Sequence, residues 1–266
     1  FDAVAHGHGA DAEAPQLQAL RVLRPRRGLR RFDAPTQRGQ VPFIGREEAL
    51  RQLDACLDDA ATAGPRCVVV QGSAGMGKTR LVEEWSGQKR LSKWRVLRGG
   101  CESLAAAEVL QPFMQMLGVR RSTLSVDDML ARWTSDGGAQ RSLMIIDDWQ
   151  WADDASRQLL VTLLSRDMGP RVLLACRPRE DGGEWMVGAP HLTLQPLDAL
   201  QTEHMVQHLL PAADPFLAAR IHDYAGGVPL FIEELCHSAT VNELSRDIEA
   251  PGGAQNWLKA LVASRL

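Results

Sequence analysis

Cys67-Val68-Val69-Val70-Gln71-Gly72-Ser73-Ala74-Gly75-Met76-Gly77-Lys78-Thr79-Arg80-Leu81-Val82-Glu83-Glu84-Trp85 is the stretch that decides how this chain folds. Its first five residues read as a short buried β-strand, and from Thr79 to Trp85 the apolar residues recur at helical spacing. Between them, Gly72 to Thr79 fits G-x-x-x-x-G-K-[ST] at every specified position, in the strand–loop–helix setting that the pattern requires. The glycines are needed because backbone N–H groups must converge on phosphate oxygens, where a side chain would clash or forbid the required φ. Lys78 is expected to reach the β- and γ-phosphates, and the Thr79 hydroxyl to sit on Mg²⁺. A helix opening at Lys78 adds its partial positive end, favourable for anions. A plain glycine-rich turn is the bland alternative, and the complete motif in its setting weighs against it. Gly72, Ser73, Ala74, Gly75, Met76, Gly77, Lys78, Thr79 and Arg80 therefore form the expected contact set for a nucleoside triphosphate.

A triphosphate site also needs a carboxylate for its metal and a group to position water. Leu143-Met144-Ile145-Ile146-Asp147-Asp148 supplies both, with four apolar residues for a buried strand and two acids at its carboxyl end. Asp147 is the expected Mg²⁺ partner, acting through water because Mg²⁺ keeps much of its hydration shell. Asp148 is the candidate for orienting or deprotonating the attacking water; one methylene shorter than Glu, it predicts slow hydrolysis. Arg177 directly follows another apolar run, Val172-Leu173-Leu174-Ala175-Cys176, and so belongs on the same sheet edge as a γ-phosphate sensor. The alternatives are two acids capping a strand-to-helix turn and a surface arginine in a Pro-rich loop.

Outward from these segments, the pattern alternates. A helix with Leu50, Leu53 and Leu57 on one face ends at Gly64-Pro65. Further strands are expected at 94–98, 143–146, 172–176 and 191–194, with helices over 108–117, 125–133 and 155–165. Continuous apolar strands alternating with helices indicate a parallel sheet covered on both faces. After about residue 197 the strands stop, and helices are expected over 198–210, 214–225 and 229–240. The fold class is α/β: a P-loop NTPase parallel sheet sandwiched by helices, followed by a small α-helical subdomain. The expected domains are a linker or tail of an upstream domain at 1–40, the α/β core at 41–196, the helical subdomain at 197–245, and the start of a truncated further domain at 246–266.

Composition bounds the partners. The formal net charge of −3 gives no global field for nucleic acid, despite six arginines between Arg21 and Arg31. His6 and His8 lack a third ligand nearby, which makes metal binding there a weak reading. No apolar run approaches the about 20 residues that a membrane span needs, and the N-terminus carries no secretory pattern. Five scattered cysteines without a Cys-x-x-Cys pair point to free thiols in a reducing cytoplasm, serving as small core hydrophobes.

With Phe43-Ile44-Gly45-Arg46-Glu47-Glu48, the glycine loop, Asp147-Asp148-Trp149-Gln150-Trp151-Ala152-Asp153 and Gly226-Gly227-Val228-Pro229-Leu230 together, the chain resembles the STAND class of signal-transduction ATPases in the AAA+ superfamily. It is most similar to the ATPase modules joined to bacterial class III adenylate/guanylate cyclases or to LuxR-type regulators, over about residues 41–266. The resemblance implies that Phe43, Ile44 and Arg46 lie on the adenine side and that Pro229 forms part of the adenine pocket. It implies a winged-helix start at 254–266, cut short, and a cyclase-to-ATPase joining segment near 20–34. In one respect the chain departs from the wider superfamily: Asp148 stands where many members carry Glu. No residue presents itself as an arginine finger acting across subunits.

The leading expectation is an Mg²⁺-dependent, slowly hydrolysing ATPase switch. ATP and ADP would hold the core and the helical subdomain in different arrangements, regulating covalently attached upstream and downstream domains. Self-association is left open. The alternatives are a DNA-associated AAA+ ATPase or LuxR-type DNA-binding regulator, and a nucleotide-binding scaffold that never hydrolyses ATP.

Overall fold

The sheet is built from five parallel strands: β1 (Cys67–Gln71), β2 (Arg95–Gly100), β3 (Ser142–Asp147), β4 (Arg171–Cys176) and β5 (His191–Thr193), in the spatial order β2-β3-β4-β1-β5. The computed structural model describes residues 43–56, 66–87, 94–103, 108–119, 127–128, 131, 142–165 and 170–238, all within one compact unit, Pro42–Leu266. The expectations for 1–40 and 246–266, and most of the helix expected at 125–133, lie outside the described residues.

Alternation along the strands sets the two layers. Val69, Met144, Ile146, Val172 and Leu174 face one side, where they pack with Phe113, Trp149, Leu159 and Leu163. Val68, Val70, Leu143, Ile145 and Leu173 face the other, against Leu53, Leu81, Val82 and Trp85. Helices α1 (Glu47–Cys56) and α2 (Lys78–Ser86) thus cover the second face, and α3 (Gln111–Leu117) and α4 (Asp154–Leu164) the first. Burial on both faces is what makes β1, β3 and β4 read as unbroken apolar runs.

Two boundaries differ from expectation for physical reasons. β2 runs on through Gly99 and Gly100, which pair with Ile146 and Asp147 of β3, and glycine is required at 99 because α3 crosses so closely that a Cβ there would stand 2.2 Å from the Pro112 carbonyl oxygen. α3 starts at Gln111 rather than 108, because Leu110 adopts a left-handed conformation (φ 59°) and cannot continue a helix. A short 3₁₀ turn, Trp149–Trp151, is an element that the apolar spacing does not signal.

Helices α5 (Ala199–Leu209), α6 (Pro215–Ala225) and α7 (Pro229–Ser238) pack on one another after the last strand. Asp198 closes a capping box with Gln201, and Asp214 caps α6 ahead of Pro215. No helix among the described residues is long and apolar enough to cross a membrane.

Candidate functional site

The carboxyl ends of β1, β3 and β4 lie side by side, since β4 is inserted between the other two. Ligands bind at this edge of open parallel sheets. From β1 the chain enters the glycine loop, in which Gly75 and Gly77 take φ values of 80° and 84°. Gly77 needs its glycine for conformation alone, as a Cβ there would meet nothing within 4 Å. Gly75 needs it for space as well: a Cβ would come within 3.0 Å of both Leu230 and Val228.

Lys78, the first residue of α2, is buried, and its Nζ donates to the Gly72 carbonyl at 2.9 Å and to that of Ser73 at 3.0 Å. Burial holds its pKa below the ordinary lysine value. Asp147 and Asp148 pull the other way, and Arg177 is near enough to reinforce the lowering. Thr79 donates its hydroxyl to Asp147 Oδ2 at 2.7 Å, and the Asp148 N–H donates to Asp147 Oδ1 at 2.9 Å. The sheet edge therefore brings together Lys78, Thr79, Asp147, Asp148 and Arg177, drawn from three strand ends. A hydroxyl and a buried carboxylate in direct contact are hard oxygen donors of the kind that suit Mg²⁺.

Asp148 is left-handed (φ 54°, ψ 39°), a conformation that Asp tolerates better than most residues. Residues 149–153 lock it in place. Trp149 is buried, the Trp151 N–H donates to the Asp148 carbonyl at 2.9 Å, and Asp153 caps α4 through the Ser156 N–H at 2.9 Å. Asp153 also accepts from the Leu110 N–H at 3.2 Å, tying this turn to the start of α3.

The residues expected near the base have definite places. Arg46 donates to the carbonyls of Gln195 at 2.7 Å and Met76 at 3.3 Å, joining the glycine loop to the segment that leads into α5. Phe43 is partly buried against the cluster containing Met76 and Leu194, and Ile44 is half-buried. Pro229 opens α7, while its neighbour Leu230 donates its N–H to the Gly75 carbonyl at 3.3 Å. Ser73, Ala74 and Arg80 are exposed along the loop and first helical turn, and Met76 is buried beneath it. All five cysteines are free; Cys67, Cys101, Cys176 and Cys236 are buried, and burial pushes their thiols up to about 12, which makes them unreactive.

Residues 42–140 match the family model described as AAA ATPase domain. Over that stretch the chain is similar to an AAA ATPase domain. That match spans the glycine loop and stops before β3, so the placement of Asp147 and Asp148 beside the glycine loop rests on the geometry of the sheet edge. An uncharacterized protein of Rhizobium meliloti (strain 1021) is 27% identical over 288 residues, covering 86% of this chain. This chain spans only 28% of that protein's length. The sheet and its helices have the P-loop NTPase fold, shared with Drosophila ORC bound to DNA at a TM-score of 0.56 and 17% identity, over 73% of this chain and 55% of that one. A STAND protein with a tetratricopeptide repeat sensor from Pyrococcus horikoshii aligns at 19% identity over 81% of this chain and 34% of that one, with a TM-score of 0.47, too loose to assign a class.

Sequence reasoning passes over three parts of the candidate site: Gln150, which touches Asp148; Trp185, whose indole N–H donates to the Arg177 carbonyl at 2.6 Å; and Val228 with Leu230, which close on Gly75. Of these, Val228 and Leu230 flank Pro229, so the Gly-x-Pro turn is the signal that could have found them. Gln150 stands in the Asp-Asp-Trp-Gln segment without a chemical signature of its own.

Proposed function

We propose that this chain is an ATP-binding, slowly hydrolysing switch module of the STAND class, and that it regulates domains attached to it. The observation that carries the reading is the Thr79 hydroxyl on the Asp147 carboxylate, 2.7 Å apart, beside a buried Lys78 at the head of α2. Thr79 and Asp147 would hold Mg²⁺, and Lys78 and Arg177 would neutralise phosphate oxygens. Bound Mg²⁺-ATP supplies an electrophilic terminal phosphorus with its charge partly cancelled. Asp148 orients the attacking water and accepts its proton.

The switch reading draws support from how the glycine loop is held. Its Gly75 carbonyl accepts from Leu230 at the start of α7, and its Met76 carbonyl accepts from Arg46, which also grips Gln195. On the other side of that junction, Gly227 (φ 69°) lies so close to Leu197 that a Cβ would stand 2.2 Å from its carbonyl oxygen. A loop whose backbone shifts on gaining a ligand must therefore move α7 or break these contacts. Such coupling is typically about 1–3 kcal/mol. Phe43, Ile44 and Pro229 would flank the base.

The test is binding of a non-hydrolysable ATP analogue and steady-state phosphate release by the wild type, Lys78→Ala and Asp148→Ala. Lys78→Ala loses affinity; Asp148→Ala binds and turns over far less. Equal affinity in Lys78→Ala ends this account of the site. Phosphate release no higher than in that variant leaves a scaffold rather than an enzyme.

A further inference from the structure

Immediately after the two acids, the chain makes its 3₁₀ turn and turns the Gln150 side chain back over the sheet edge. Gln150 Nε2 donates to Asp148 Oδ1 at 3.0 Å, and Gln150 Oε1 accepts from the Arg177 N–H at 3.0 Å. The amide orientation is dictated by chemistry: the backbone N–H can only donate and the carboxylate can only accept, so the oxygen must face Arg177 and the nitrogen Asp148. Both ends of one short side chain are thereby committed, one to the end of β3 and the other to the end of β4.

Few side chains could make this bridge. Glu would keep the acceptor for Arg177 but set a second carboxylate against Asp148. Asn carries the same amide on a shorter stem, and an apolar residue leaves both groups without this partner. The bridge also crosses the place where the two strands' loops diverge. Beyond it, the Arg177 carbonyl is fixed by the Trp185 indole, and the Trp185 ring lies 5.7 Å from the Arg157 guanidinium and 5.1 Å from that of Arg179. The backbone of Arg177 is thus clamped at its N–H by Gln150 and at its carbonyl by Trp185.

We infer that Gln150 is a positioning residue: it fixes the Asp148 carboxylate for water and holds it in register with Arg177, so that the two act as a unit. This rests on the proposed ATPase activity. One oxygen of Asp148 is engaged by the amide, which restricts the carboxylate's rotation and directs its remaining lone pairs. The Arg177 guanidinium is placed by the same link, because its backbone cannot move away from β3 while the amide holds it.

The experiment uses the whole 266-residue chain. Gln150→Ala is expected to lower the kcat for phosphate release from ATP by about 10- to 100-fold, the usual effect of losing an outer-shell partner. Affinity for a non-hydrolysable ATP analogue stays within about threefold, so the loss appears in kcat and not in binding. In an Asp148→Ala background, Gln150→Ala costs less than about twofold further, since the residue it positions is gone. Hydrogen exchange at the Arg177 amide rises in Gln150→Ala and stays protected in Gln150→Glu, whereas turnover falls in both. Unchanged exchange in Gln150→Ala overturns the bridge. Unchanged turnover, an equally large loss without Asp148, or a parallel loss of analogue affinity overturns the positioning role. Wild-type phosphate release no higher than that of Lys78→Ala overturns the ATPase reading and this role together. Release above that control with Gln150→Ala unaffected overturns this role alone.

Discussion

Two turns at the same sheet edge reach left-handed backbone geometry by opposite means. The loop after β1 does it with glycine: Gly75 and Gly77 have φ near 80°, and the loop's shape depends on side chains that are absent. The turn after β3 does it with Asp148, and its shape depends on side chains that are present. Trp149 plugs the core, Gln150 bridges to β4 and Asp153 caps α4 while holding Leu110. The first turn leaves its backbone uncovered by side chains, and the second holds a carboxylate in place. One is therefore intolerant of additions, the other of deletions.

The largest effect should come from adding to the first turn. Gly75→Val places a β-branched side chain at φ 80° with its Cβ 3.0 Å from Leu230 and Val228. Backbone strain and overpacking together should cost about 3 kcal/mol in urea-induced unfolding. Gly77→Ala carries only the conformational penalty, about 1 kcal/mol. Equal costs at the two positions would show that Val228 and Leu230 do not press on the loop, and would remove the coupling to α7.

Next comes Lys78→Ala, which removes charge without adding bulk. Losing one partner of a buried charged contact costs about 2 kcal/mol or more, roughly 30-fold in affinity, which calorimetry with an ATP analogue would read. The nucleotide-free protein responds differently. Burial sets the folded Lys78 pKa below its unfolded value, so between the two values the unfolded chain binds more protons and stability rises with pH. Alanine should flatten that rise as pH approaches the ordinary lysine range, which melting scans from mildly to strongly alkaline pH would show.

The contrast between the turns also explains what could be read from residues alone. Glycine with Lys-Thr at fixed spacing reports both conformation and chemistry, so Gly72 to Thr79 was legible from residue identities and their spacing. So were β1, β3 and β4, because strands buried on both faces leave unbroken apolar runs. The strand order was not legible, since nothing local in Val172–Cys176 says that β4 inserts between β1 and β3. Gln150 was not legible either: an amide has no distinctive pattern, and its partners lie two residues away and 27 residues away, the second only after the sheet forms. The need for glycine at position 99 was not legible, because only the crossing of α3 makes it a requirement.

Within the second turn, Asp153→Ala should lower stability by about 1–2 kcal/mol, measured as a fall in melting temperature. It removes the cap of α4 and the acceptor for the Leu110 N–H in one step. Asp153→Asn keeps a capping oxygen and should recover most of the loss. A full loss in the Asn variant would show that Asp153 Oδ2, which accepts from the Leu110 N–H at 3.2 Å and the Ser156 hydroxyl at 2.6 Å, has to be an acceptor as well.

Asp148 offers the smallest shift in stability and the sharpest comparison. Glycine at this position relieves the left-handed strain but widens the conformational freedom of the unfolded chain, and the two terms are of similar size. Asp148→Gly should therefore unfold within about 0.5 kcal/mol of the wild type. Asp148→Ala keeps the strain without the short polar side chain that eases it, and should lie about 1 kcal/mol below the glycine variant. Both lack the carboxylate and should lose turnover alike. If alanine proves as stable as glycine, the turn has relaxed to an ordinary conformation, and Asp148 is held by Trp149 and Gln150 less rigidly than φ 54° implies. If glycine is clearly the more stable yet equally inactive, the left-handed turn is a fixed frame on which the carboxylate is carried.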